Sequence, residues 1–273
     1  MSIKVYTKEN QANGNFNNGQ ILEKKPIGFP QDGGQLNPYS NLFYWAHAWA
    51  PDKDSTIGLH PHRGFEICSF VLKGEIEHYD TLLEKWITLK KGDVQIIKAG
   101  KGISHSEKLK SDSEIFQIWF DPNIKESLYI DASYNDFKSE EFKLDKNNGV
   151  EIKTISNNEN QLGLDSFGVK IFESSYTDGE NEHIIEENCY HSMFILSGNL
   201  NLKDQVFNKG DFITIVIVKK QLNLSYLVKR KIYDTSYIRR IIRRRRAFWA
   251  PVKSVEPKDV PLYLYGTKWY SRN

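Results

Sequence analysis

The architecture is written most plainly in Phe70-Val71-Leu72-Lys73-Gly74-Glu75-Ile76-Glu77, followed by Lys91-Gly92-Asp93-Val94. An apolar strand reaches a glycine turn and returns, and a Lys-Gly-Asp turn then opens a further strand. The same order comes back as Phe194-Ile195-Leu196-Ser197-Gly198-Asn199-Leu200-Asn201, with Lys209-Gly210-Asp211-Phe212 after it. Gly74 and Gly92 are 18 residues apart, and Gly198 and Gly210 are 12 apart. Glycine turns recur in any β-rich chain, but two motifs in matched order point to two copies of one β-barrel module.

Working outward, residues 43–49, 66–72, 75–80, 94–97 and 115–120 are short runs rich in Ile, Val, Phe, Tyr and Trp, separated by turn residues. That pattern predicts an antiparallel sandwich or barrel. It returns over 150–155, 169–174, 191–196, 200–203 and 211–218. Residues 2–20 are polar, with little to bury, so order is expected to begin near Ile21. Asp121-Pro122-Asn123 reads as a turn, and Tyr134–Lys146 as a charged linker with a helical turn around Ser139–Lys143. The expected division is a polar segment at 1–20, a metal-binding barrel domain at 21–125, and a linker with a second, metal-free barrel domain at 126–228. A basic aromatic tail of uncertain origin follows at 229–273.

Composition bounds the function. In 273 residues, 39% hydrophobic and 13% aromatic content supplies a sizeable core and excludes global disorder. The net charge of +2, from 37 Lys and Arg against 35 Asp and Glu, is a cancellation. Residues 229–273 hold 13 basic and 3 acidic residues, which leaves 24 and 32 for the rest. An acidic body is therefore not a general nucleic-acid binder, and nucleic-acid contact is expected only through the tail. There, six arginines within Arg239–Arg246 precede Phe248, Trp249, Tyr263, Tyr265, Trp269 and Tyr270. Three readings stand for this tail: a segment foreign to the fold, a solvated or self-docking extension, or a single-strand binder.

Two cysteines, Cys68 and Cys189, are too few for a disulfide scaffold and read as small buried residues. The N-terminus lacks an apolar signal region, and the longest apolar run, Phe212 to Val218, is far short of a membrane span. The expectation is a soluble, cytoplasmic monomer.

Of seven histidines, three fall in two compact motifs: Gly58-Leu59-His60-Pro61-His62-Arg63-Gly64-Phe65-Glu66 and Gly100-Lys101-Gly102-Ile103-Ser104-His105-Ser106-Glu107. Residues two apart in a strand share a face, so His60 pairs with His62 and His105 with Glu107. If both strands line one barrel, three imidazoles and a carboxylate converge as ligands for one divalent ion: Fe(II), Mn(II), Ni(II), Cu(II) or Zn(II). Gly100 and Gly102 let the chain bend before His105. His47 and His78 are read as solvent-facing or on the far side of their sheets. His183 and His191 lack paired partners.

At these residues the chain resembles the pirin family, a branch of the cupin superfamily. The carriers are His60-Pro61-His62-Arg63-Gly64-Phe65-Glu66, Val71-Leu72-Lys73-Gly74, Glu77-His78-Tyr79-Asp80, Gly92-Asp93-Val94-Gln95, Ala99-Gly100-Lys101-Gly102-Ile103, His105-Ser106-Glu107 and Gln117-Ile118-Trp119. The resemblance implies an all-β bicupin of two cupin-type barrels. The N-terminal barrel would hold one metal, usually iron, through His60, His62, His105 and Glu107. It also implies activities that range from quercetin 2,3-dioxygenase to nuclear transcription cofactor. Lys98 stands where most cupins carry proline, and residues 229–273 have no counterpart.

Two functions follow. One is an Fe(II)-dependent dioxygenase acting on a flavonol- or quercetin-like aromatic substrate. There Glu107 would be both ligand and proton acceptor, Phe65, Phe70 and Trp119 would line the pocket or the core, and Arg63 and Glu66 would support the ligands. The other is a non-enzymatic regulatory protein whose metal state shapes a surface for a protein partner.

Overall fold

A computed structural model describes residues 2–147, 149–184, 189–202, 205–216, 223–228 and 245–253. Its strands run β1 (Ser2–Tyr6), β2 (Ala12–Phe16), β3 (Ile21–Ile27), β4 (Leu42–Ala50), β5 (Ser55–His62), β6 (Glu66–Lys73), β7 (Glu75–Asp80), β8 (Trp86–Lys90), β9 (Val94–Lys98), β10 (Ile103–Leu109), β11 (Ser113–Phe120) and β12 (Ser133–Phe137). They continue as β13 (Lys143–Asn147), β14 (Val150–Ser156), β15 (Ile171–Tyr176), β16 (Gly179–Ile184), β17 (Cys189–Ser197), β18 (Asn199–Leu202), β19 (Gln205–Asn208), β20 (Phe212–Val216), β21 (Asn223–Val228) and β22 (Arg245–Lys253). A single α-helical turn among the described residues, α1 (Ile124–Ser127), follows the Asp121 turn. The protein is all-β, with the cupin fold the motifs imply.

Among the described residues the chain forms two compact units. An N-terminal unit holds 9–141 and 164–167, and a C-terminal unit holds 1–8, 142–163 and 168–253. In the N-terminal unit, a seven-stranded sheet ordered β12-β9-β6-β11-β4-β3-β2 packs on a four-stranded sheet ordered β5-β10-β7-β8. One apolar cluster joins Ile21, Ala48, Ala50, Val71 and Ile115 of the large sheet to Ile76, Leu89 and Leu109 of the small one. A second cluster contains Phe43, Tyr44, Ile67, Ile97, Ile103 and Trp119. Each fully buried Ile or Leu stabilises the fold by about 1.5–3 kcal/mol. On β10 the inward positions are Ile103, His105, Glu107 and Leu109, so two polar groups lie between one residue of each cluster.

The repeated motif is also repeated in hydrogen bonds. The Gly92 N–H donates to the Val71 carbonyl at 2.8 Å and the Gly210 N–H to the Ile195 carbonyl at 2.8 Å. The Asp93 carboxylate accepts from the Lys90 N–H at 3.0 Å, and the Asp211 carboxylate from the Asn208 N–H at 2.7 Å. Gly92 and Gly210 both sit at φ +90°, and Gly74 and Gly198 at +69° and +73°. These left-handed turns favour glycine at each of the four positions.

Three expectations need correction. Residues 2–20 are not a structureless prelude. β1 pairs with β20 in the C-terminal unit, where Ile3 packs on the apolar cluster, and β2 pairs with β3. A polar strand is held mainly through its backbone, which composition does not register. The linker is not strand-free: β12 joins β9 and β13 joins β14, with a 3-10 turn at Ser139–Glu141 between them. Finally, the basic tail contributes β22, which lies between β15 and β17 in the C-terminal unit's seven-stranded sheet. Residues 229–244 and 254–273 lie outside the described residues, as does the side chain of His183.

Candidate metal centre

β5 and β10 run antiparallel, with His60 opposite His105 and His62 opposite Ile103. The register slips between His105 and Glu107, where Glu107 faces Ile57, so β5 carries one extra residue there. Such a bulge re-aims the side chains beside it. Gly100 and Gly102, at φ +48° and +146°, turn the chain into β10 as their positions in the motif predict.

The three imidazoles converge. His105 Nε2 lies 2.9 Å from His62 Nε2 and 2.9 Å from His60 Nε2. His60 Nδ1 donates to the Gly58 carbonyl at 2.7 Å, which leaves its Nε2 lone pair free. His62 is 7% exposed and His105 is fully buried. Burial, then the nearby His60, pushes the His62 pKa down to about 3. His105 is held well below the ordinary histidine value by burial, then by its histidine neighbours. Both rings are therefore neutral at physiological pH. Among three nitrogens at hydrogen-bond distance, few ring protons are available, and lone pairs otherwise face one another. A cation removes that repulsion. With bonds of about 2.1 Å at right angles, neighbouring nitrogens stand about 3.0 Å apart, so the spacing fits an ion.

Glu107 is fully buried beside this trio. Its carboxylate accepts from Ser69 Oγ at 3.3 Å, from Gln95 Nε2 at 3.3 Å and from Gln117 Nε2. Burial raises its pKa to about 7 against those hydrogen bonds. The trio His60, His62 and His105 forms one group with ligand atoms within 4.8 Å of one another. Glu107 falls instead in an overlapping group with His105 and His78.

His78 corrects the sequence reading. It is fully buried, not solvent-facing, because Ile76, His78 and Asp80 are the inward positions of β7. It stands opposite Glu107 in the ladder with β10, donates from Nε2 to Asp80 Oδ2 at 2.8 Å, and stacks on Tyr134 with ring centroids 4.6 Å apart. The signal was present: His78 and Asp80 repeat the two-residue spacing of His60 and His62. Tyr134 came from the stretch expected to be a linker. His47, with Nε2 3.3 Å from Glu114, lies apart from the metal-type groups.

Phe65 and Trp119 pack against His62, at 5.4 and 5.2 Å between ring centroids, and stack on each other at 5.0 Å. Phe43 packs edge-on against Phe65 at 5.4 Å. Phe70 is buried in the core and Arg63 is exposed. Glu66 supports no ligand. Its carboxylate accepts from the backbone N–H groups of Asp165 and Ser166 at 2.7 and 3.0 Å and from Ser166 Oγ at 2.5 Å. Residues 164–167 are thereby held within the N-terminal unit.

Residues 32–120 match the family model described as Pirin. A quercetin 2,3-dioxygenase of Escherichia coli K12 is 43% identical over 127 residues, which is 43% of this chain and 52% of that protein. Pirin-like protein 2 of Arabidopsis thaliana is 38% identical over 98 residues, 36% of this chain and 30% of that protein. The chain thus spans 30% to 52% of the length of these curated relatives. The solved nickel(II) complex of the bacterial pirin YhhW from Escherichia coli superposes with a TM-score of 0.71 at 17% identity, over 93% of this chain and 100% of that one. The family-model match lies within the N-terminal half, and the superposed fold covers 93% of the chain.

Proposed function

We propose that this chain is a pirin-family protein and an Fe(II)-dependent dioxygenase acting on a flavonol-like aromatic substrate, with the ion held by His60, His62, His105 and Glu107; the match of residues 32–120 to the Pirin model supports the family. The observation that carries this reading is the convergence of the His60, His62 and His105 imidazoles, with His105 Nε2 2.9 Å from each of the other two Nε2 atoms, near the buried carboxylate of Glu107.

When bound, the ion supplies Lewis acidity and one-electron chemistry at the imidazoles. The rest falls to the side chains. His62 and His105 offer lone pairs without first losing a proton. Glu107 takes a proton from a substrate hydroxyl and can return it, as a carboxylate beside a bound ion can. Ser69, Gln95 and Gln117 hold its oxygens while it does so. Phe65 and Trp119, stacked on each other, form an aromatic wall beside His62, and their bulk limits water near the ligands. We also assign the protein to the cytoplasm. Cys68 and Cys189 are buried free thiols, the state a reducing compartment maintains.

The test is anaerobic loading with Fe(II), metal content by mass spectrometry, and oxygen uptake over a panel of flavonols. Uptake that disappears in H62Q supports the reading. No uptake in protein shown to be fully metallated overturns it.

A further inference from the structure

Among the described residues β12 is an edge strand, paired with β9 alone, yet Tyr134 reaches from it to two inward side chains of the N-terminal unit. Its hydroxyl donates to Gln95 Oε1 at 3.4 Å. Burial, then the nearby Asp136, Asp80 and Glu107 carboxylates, raises its pKa well above the ordinary tyrosine value, so the hydroxyl keeps its proton. With its oxygen taken by Tyr134, the Gln95 amide turns its NH2 group to Ser69 Oγ at 3.2 Å and to Glu107 Oε1 at 3.3 Å. The opposite orientation would set an amide oxygen against the ionised Glu107 carboxylate, with neither group able to donate. The Tyr134 ring also lies flat on His78, with centroids 4.6 Å and planes 11° apart. Asp80 Oδ2 accepts from His78 Nε2 at 2.8 Å, and the His78 ring packs against His105 with centroids 5.6 Å apart.

We propose that Tyr134 is a positioning residue of the metal centre, bracing both ligands of β10: Glu107 through the Gln95 amide, and His105 through the His78 ring. The four ligands are those assigned above, and the inference rests on that reading and deepens it. Phenylalanine would fill the same space and stack on His78 equally well. The hydroxyl adds the Gln95 contact, and that contact decides which end of the amide Glu107 meets. A carboxylate whose hydrogen-bond donors are already fixed meets an ion in one orientation, with no further ordering to be done on binding. The ring acts through packing. Together with the Asp80 hydrogen bond it restricts His78 to one pose, and His78 in turn limits rotation of His105.

The experiment uses the full-length, metal-stripped protein, titrated with Ni(II) by calorimetry and with Co(II) by visible absorption, which reports the donor set and its geometry. Y134F keeps the ring and loses the hydroxyl. It is expected to weaken Ni(II) binding about fivefold and to shift the Co(II) spectrum. In an E107Q background the same substitution should change Ni(II) affinity less than about twofold, because the hydroxyl acts on Glu107. Y134L also removes the stacked ring and is expected to lose about a further threefold, a loss that persists in E107Q. Y134F and Y134F/E107Q carry the test if Y134L does not fold. A Y134F protein with wild-type Ni(II) affinity and Co(II) spectrum overturns the proposal, and so does a Y134F loss of equal size with and without Glu107, which a merely structural defect would give. A Y134L protein that folds and binds no more weakly than Y134F overturns the bracing of His105. A wild-type protein that takes up neither ion overturns the metal reading as well.

Discussion

Replacing Glu107 with glutamine in metal-free protein should change how stability depends on pH, and the size follows from burial. The carboxyl is fully buried, and burial pushes its pKa up from the ordinary 4.5 to about 7 on folding. Between those values the folded protein binds more protons than the unfolded chain. The group's stabilising contribution is therefore complete below about pH 4.5 and is lost as pH rises through about 7. The difference between those two values corresponds to about 3 kcal/mol. Glutamine, close in shape to the protonated acid, has no such dependence. Urea unfolding of both proteins, stripped of metal and followed by tryptophan fluorescence, should show the stability of wild type relative to E107Q falling by about 3 kcal/mol between pH 4.5 and 8. Adding Ni(II) should reverse the trend, because an ion beside Glu107 stabilises its charged form. Parallel pH profiles in the metal-free proteins would refute the claim that desolvation dominates at Glu107.

Other outcomes follow from single contacts. H62Q and H105Q should each weaken Ni(II) binding at least about a hundredfold by calorimetry, since each removes a converging nitrogen. E66A should destabilise the N-terminal unit by about 2–4 kcal/mol in denaturant unfolding, because it strands the Asp165 and Ser166 donors that Glu66 now satisfies. G100A should lower stability by about 2 kcal/mol or more: alanine would adopt φ +48° and its Cβ would overlap the Ile130 carbonyl.

The alternation of apolar residues, the glycine turns and the repeated Lys-Gly-Asp motif were enough to identify an all-β chain with a duplicated module. These signals are local: a strand's two faces and a turn's positive φ are set by neighbours in the chain. The i, i+2 spacing brought out His60 and His62, and His105 with Glu107, for the same reason. The sequence did not reveal which strands lie side by side. β7 pairs with β10, and this alone carries His78 and Asp80 inward opposite Glu107 and His105. β12 joins β9 and brings Tyr134 onto His78 from a stretch whose composition reads as a linker. β22 enters a sheet between β15 and β17, although its sequence begins within an arginine run. Each of these depends on backbone hydrogen bonds between residues far apart in the chain, and backbone groups are the same whatever side chain they carry. Local order could therefore be read from residue types, while the surroundings of His105 and Glu107 were decided by tertiary pairing.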